Sequence, residues 1–207
     1  MSFYSYYLRV LIILTFIGLV LSLLPLVRDP RYLPGPAPKT GQYLSQVPVI
    51  AQRPSVAGYE REKFGGWASQ GEAGCTTRTV VLYGECGHTT LLHNQDPYSG
   101  RKLNSESQFE IDHIYPLRAA WDMGAHRWNQ EKREAFANDP VNLVAVSRSE
   151  NQSKSDALPS DWVPKQRASR CWYVRRLVVV AWKYRLPLST DDVAVIKREC
   201  WLRELLS

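Results

Sequence analysis

Asp112-His113-Ile114-Tyr115-Pro116-Leu117 is the stretch on which the reading of this chain turns, taken with Asn142-Leu143 and Asn151-Gln152-Ser153-Lys154. An acid beside a histidine arises easily by chance, and alone it reads as a surface turn or a satisfied hydrogen bond. The same pair followed by Pro-Leu, then Asn-Leu, then Asn-x-x-Lys over about forty residues points to a shared chemistry. Outward from it, Phe109 to Ile114 predicts a short strand that delivers Asp112 and His113 at its end, and Leu143 to Val146 predicts a second strand. Ser147-Arg148-Ser149-Glu150 has the S-x-x-E form of a capping box, so a short helix carrying Asn151 and Lys154 follows. A hairpin crossed by that helix brings Asn151 near Asp112.

Those residue types suit phosphodiester hydrolysis, which needs an activated water, a cation at the phosphate and stabilisation of the leaving oxygen. His113 can supply the first, since a free imidazole titrates near about 6.5 and a neutral ring is available. Asp112 and Asn151 are hard oxygen ligands. One divalent ion such as Mg²⁺ fits so small a ligand set, with water and phosphate oxygens completing its shell. Asn142, at the start of the second strand, can tie down the loop bearing His113. Lys154, Arg78 and Arg118 are candidate phosphate contacts. Arg78, grouped with His113 and Asn142 as catalytic, is equally suited to a structural ion pair with Glu85 or Glu110.

The rest of the chain reads as support. Arg78 to Tyr83 (RTVVLY), rich in β-branched residues and ended by Gly84, predicts a strand. Asn94 to Gly100 predicts a turn. Leu117 to Met123, a break at Gly124, and Gln130 to Ala137 with Asn129 as N-cap form a helical insert. Two longer helices close the chain. One runs from Lys165 to Arg185 with Cys171, Val174, Val178 and Trp182 on one face, and one follows Ser189 with Val193, Ile196 and Cys200 inward. The class is α+β.

At 207 residues there is length for one well-buried domain plus extensions. Val10 to Val27 is an uncharged run of eighteen residues, and as a helix it spans about 27 Å, close to a hydrocarbon core. Arg28-Asp29-Pro30-Arg31 follows where a small-x-small cleavage site should stand, which favours a signal anchor over 1–28 against a cleaved signal peptide. Arg9 on one side and Arg28 and Arg31 on the other leave its orientation undecided. Residues 29–57, rich in Pro and without periodicity, read as a disordered tether, and 58–207 as the folded domain. The excess of 26 Lys+Arg over 20 Asp+Glu gives +6, a modest bias toward an anionic partner.

The four cysteines are Cys75, Cys86, Cys171 and Cys200, with no C-x-x-C pair, which argues against a zinc ribbon. Cys75, Cys86, His88 and His93 have ligand chemistry but not zinc spacing. An even count beside an exporting segment favours disulfides. The short loop suggests 75–86, and the inward stripes of adjacent helices suggest 171–200; four reduced, buried thiols are the alternative. Disulfides place the domain outside the cytoplasm, membrane-anchored or secreted.

These residues resemble the HNH, or ββα-metal (His-Me finger), nuclease motif. Cys75-Thr76-Thr77-Arg78, Asp96-Pro97-Tyr98-x-Gly100, Ala120-Trp121-x-x-Gly124-Ala125, Phe136-Ala137-Asn138-Asp139, Asp161-Trp162-x-Pro164 and Cys171-x-Tyr173 extend the likeness to exported HNH proteins of the DUF1524 type. It covers about Tyr59 to the C-terminus. The resemblance implies a ββα-metal core with a helical insert and two closing helices, one divalent ion per site and His113 as general base. It implies a metal-dependent endonuclease on nucleic acid, DNA before RNA; a toxin of this kind would need an immunity protein. The alternative is an exported, non-catalytic module that keeps the scaffold to bind nucleic acid or the cell envelope. Two departures stand out. Thr76 replaces the family's Asp or Asn, and Ser155 replaces the glycine of Lys-Gly-Asp, where a positive φ would cost about 1 kcal/mol. Asn138 is a second candidate for the middle asparagine.

Overall fold

The computed structural model describes residues 3–27, 33–34, 37–71 and 74–206. In chain order its helices and strands are α1 (Phe3–Val27), α2 (Gly41–Leu44), β1 (Val49–Ile50), α3 (Thr77–Tyr83), β2 (Phe109–His113), α4 (Leu117–Asp122), α5 (Gln130–Ala137), β3 (Leu143–Ser147), α6 (Arg148–Lys154), α7 (Arg167–Tyr184), β4 (Leu188–Ser189) and α8 (Thr190–Leu206). β2 and β3 pair antiparallel, with His113 opposite Leu143 and Phe109 opposite Ser147. Opposed residues share a face. Phe109, Ile111, Leu143 and Ala145 therefore turn to one side, where Leu82 of α3 and Leu103 cover them. Asp112, Val144 and Val146 turn to the other, which α6 crosses and where the main core begins.

α7 is the axis of that core. Trp172, Tyr173, Val174, Leu177, Val178, Val180 and Ala181 are each 1% exposed or less, so the helix is apolar around most of its girth, as a central helix must be. Trp182 departs from the expected inward stripe; it is 39% exposed and packs edge-on against Tyr43. Cys171–Cys200 joins α7 to α8, and Cys75–Cys86 brackets α3. α6 starts where the capping pattern places it: Ser147 Oγ accepts the Glu150 N–H and donates to Asp96 Oδ2 at 2.7 Å. The Glu150 carboxylate does not return to the cap but pairs with Lys165 at 3.2 Å.

Two expectations are corrected. Arg78 to Tyr83 is not a strand but lies within the helix α3. The Cys75 and Cys86 Cα atoms are 5.8 Å apart, whereas six extended residues would separate their ends by about 20 Å. A helical turn returns the chain far more economically, and it overrides the β-branched preference. The Thr79 hydroxyl accepts the Thr76 N–H at its start, and Gly84, at φ 86°, ends it. The tether is the second correction. From Ala37 to Ala57 the chain lies on the domain: β1 pairs parallel with β4, Val47 is buried, and Arg53 binds Asp122 and Asp156, each at 2.7 Å. Tyr43, Leu44, Val47 and Ile50 supply the apolar surface that its prolines obscure. Residue 28 of the expected anchor and residues 29–32 and 35–36 of the expected tether lie outside the described residues.

α1 is helical throughout, and Leu11, Ile12, Ile13 and Leu14 are exposed on it. Among the described residues no helix is long and apolar enough to cross a membrane. In α1 the described side chains run only from 4 to 19, a rise of about 24 Å.

Ser155 caps α6 at φ 52°, ψ −124°, a region that glycine enters freely and other residues enter at a cost. Ser155→Gly is expected to raise stability by about 1 kcal/mol, read as a shift of about 2–4 °C in a thermal melt. An unchanged or lower melting temperature would show that the strain is not there.

Candidate active site

His113 ends β2 with Nε2 2.9 Å from the Ala137 carbonyl oxygen. A carbonyl only accepts, so Nε2 carries the ring proton and Nδ1 holds the lone pair. Nδ1 has no hydrogen-bond partner among the described residues. Burial, opposed by the Ala137 bond and reinforced by the Arg61 and Lys154 charges, lowers the imidazole pKa to about 3. The ring is neutral at physiological pH. Trp67 lies parallel to it, 6.0 Å between centroids. Asn138 holds the Trp67 loop, accepting from Ala68 N–H at 2.8 Å and donating to Gly66 O at 3.1 Å.

Asp112, the preceding strand residue, points to the opposite face. Its Oδ1 accepts from Lys154 Nζ at 2.9 Å and its Oδ2 from the Tyr98 hydroxyl at 2.6 Å. Lys154 has no exposed surface, and its ammonium also donates to His113 O at 2.8 Å. Burial pushes the Asp112 carboxyl up and the Lys154 amine down, while each charge pulls the other back toward its ionised form. Lys154 was expected at the phosphate. It is instead fully buried, its ammonium committed to Asp112 and to the His113 carbonyl oxygen. Tyr98 is itself wedged between Trp162 and Tyr173.

Asn151 sits one turn before Lys154 on α6, on the same face. Its Nδ2 donates to Glu110 Oε2 at 2.9 Å, and Arg148 holds Glu110 Oε1 at 2.9 Å. With the amide nitrogen committed, Oδ1 is the free end. Asn142 is fully buried; its Oδ1 accepts the Tyr115 N–H at 2.8 Å and its Nδ2 donates to Tyr115 O at 3.3 Å. That amide closes the turn following His113, while Asn138 serves the Trp67 loop.

An open cleft of about 980 Å³ runs along the free edge of β2. Glu110, Ile111, Asp112 and His113 all line it and β3 does not, which is how two side chains on opposite faces reach one space. Asn151, Arg78 and Arg118 line it too; Asn142 and Lys154 do not. Neither anticipated partner takes Arg78, since Glu85 pairs with His88 and Glu110 with Arg148. Arg118 is tied to Asp122 at 3.1 Å and lies over the Tyr59 ring. Arg53, Pro54 and Ser55, from the expected tether, form part of the wall.

A divalent ion would find hard oxygens here. The Asp112 carboxylate offers about four acceptor positions, of which Tyr98, Lys154 and the His113 backbone use three, and Asn151 Oδ1 is unengaged among the described residues. Such a set, completed by water and phosphate, suits a hard divalent cation. Among the described residues the one clustered group of metal-ligating types, Cys171, Cys200 and Glu204, is no metal site, because its thiols form a disulfide.

Tyr98, Glu110, Trp67 and Arg61 were not anticipated as parts of the site. Glu110 stands two residues before Asp112 in a strand, so it shares that face, and alternation alone could have found it. Tyr98 was visible as part of a turn and of the Asp96-Pro97-Tyr98-x-Gly100 motif, neither of which marks it as a partner of Asp112. Trp67 and Arg61 lie far away in sequence, with no local pattern that marks them.

The family model described as GmrSD restriction endonucleases, C-terminal domain, matches residues 77–187, a little over half of the chain. An uncharacterized secreted protein of Arthroderma benhamiae is 32% identical over 193 residues, covering 86% of this chain and 93% of that protein. No solved structure matches.

Lys154→Met leaves Asp112 as a buried, uncompensated charge and is expected to cost about 3–5 kcal/mol in denaturant unfolding. Adding Asp112→Asn should restore part of that loss, a coupling of at least about 1 kcal/mol. Wild-type stability in Lys154→Met would return the lysine to a role at the ligand.

Proposed function

This chain belongs to the family of GmrSD restriction endonuclease C-terminal domains, and from that membership we propose that it is a metal-dependent nuclease cleaving phosphodiester bonds, with DNA favoured as substrate. One observation carries the reading: His113, its Nε2 proton held by a backbone carbonyl and its Nδ1 without a hydrogen-bond partner among the described residues, lines one cleft with Asp112 and Asn151.

Asp112 and Asn151 would hold one divalent ion, which when bound polarises the phosphate and stabilises the leaving oxygen. His113 Nδ1 takes the proton of the attacking water, and Ala137 keeps the ring in the tautomer that can do so. A ring held at so low a pKa is a reluctant base; the negative charge of an arriving phosphate works against that depression. Arg78 meets the phosphate directly. Arg118 contributes its remaining N–H groups, while Tyr98, Lys154 and Glu110 hold the two ligands from behind.

The disulfides support a site outside the cytoplasm, as does the secreted description of the Arthroderma relative. The apolar α1, exposed along Leu11 to Leu14, is read as the anchor. One observation favours a non-catalytic binding module instead: the Asp112 charge is already met by Lys154.

Plasmid nicking by the full-length chain in Mg²⁺ and in EDTA separates the readings. Cleavage is expected only with the metal, and His113→Ala should lower it at least about 100-fold with the fold retained. Asn151→Ala should raise the metal concentration needed. Full activity in His113→Ala, or DNA binding without any cleavage, would overturn the nuclease reading.

A further inference from the structure

Two guanidinium groups face the cleft without an anion of their own. Arg78 lies in the first turn of α3, and Arg61 opens the short helical turn Arg61–Phe64. Both line the cleft beside His113, and neither makes a hydrogen bond or ion pair among the described residues. The other two arginines there already hold carboxylates, Arg53 those of Asp122 and Asp156, Arg118 through Nε that of Asp122.

Both unpaired groups stand on secured backbone. Phe64, fully buried, anchors the Arg61 turn against Trp121 and Phe136. The Cys75–Cys86 bond brackets the helix bearing Arg78. Arg61 also lines a recess of about 100 Å³ shared with Trp67, His113 and Leu117, which places it beside the imidazole as well as on the cleft. Two planar, permanently charged forks lining one cleft with a neutral histidine match the oxygens of a phosphate diester.

We propose that Arg61 and Arg78 together grip the non-bridging oxygens of one phosphodiester at His113, so that the substrate is a nucleic-acid strand held by its backbone. The proposal rests on the nuclease reading and adds Arg61 to it as a substrate-binding residue. Recognition through phosphate carries no base information, so cleavage is weakly sequence-specific.

The test is binding, kept apart from cleavage. Short fluorescein-labelled DNA, single-stranded and duplex, is titrated with the full-length chain in non-ionic detergent and EDTA at several salt concentrations. Arg61→Gln is expected to reduce the slope of log affinity against log salt by about 0.9 on duplex or about 0.7 on single strands, and the double variant with Arg78→Gln by twice that. Arg61→Lys should keep the slope, because the charge remains. Arg101→Gln, an exposed arginine outside the cleft, should match wild type. An unchanged slope in Arg61→Gln, an equal loss in Arg101→Gln, or no binding by wild type overturns the clamp. An Arg61-dependent slope in a protein that never nicks DNA with Mg²⁺ supports the clamp while removing the nuclease reading.

Discussion

A carboxylate and an ammonium, both shut away from water, fasten β2 to α6. The pairing of Asp112 with Lys154 costs several kcal/mol of desolvation for each ion, and only good geometry and further hydrogen bonds offset it. Both are present: Tyr98 takes the second carboxylate oxygen, and Lys154 gives a second bond to His113 O. One ammonium thus fixes the acid and the backbone of the neighbouring histidine. Because Asn151 sits three residues before Lys154, drawing the lysine beneath β2 turns the asparagine toward the same strand. The register of α6 on the hairpin is therefore also the geometry of the site.

Much of this was legible where the governing physics is local. Alternation marked both strands of the hairpin, the Ser147 cap marked α6, and Asn129 marked the start of α5, whose Lys132 N–H it accepts at 3.0 Å. The pairing of the cysteines followed from loop length and helix faces and is the one found. What escaped depends on partners distant in sequence. β-branched residues in α3 suggested a strand, but the bond between Cys75 and Cys86 and the apolar face of the hairpin decide its form. Prolines suggested a tether at 29–57, while Arg53 finds two carboxylates 69 and 103 residues away. A lysine on a short polar helix gives no sign that it will be buried; only the acid beneath it explains that.

Support of functional groups from behind recurs through the site. His113 has the Ala137 carbonyl, Asn151 has Glu110 and Arg148, and the loops on either side of the imidazole have Asn138 and Asn142. Fixing an amide or imidazole by its second polar atom leaves the first one free and correctly oriented, which lowers the cost of assembling a site on binding. The cleft wall draws on α3, α4, α6 and the 53–55 segment, so the disulfide around α3 and the docking of the chain before residue 58 both shape it.

The most direct measurement is the anomalous scattering of Mn²⁺ soaked into crystals of the protein. One peak is predicted, about 2.1 Å from an Asp112 carboxylate oxygen and from Asn151 Oδ1, with His113 Nδ1 facing it but not bound to it. No peak at that position, or a peak ligated by His113 itself, would contradict a site in which the acid and the amide carry the ion and the imidazole is left free to take a proton.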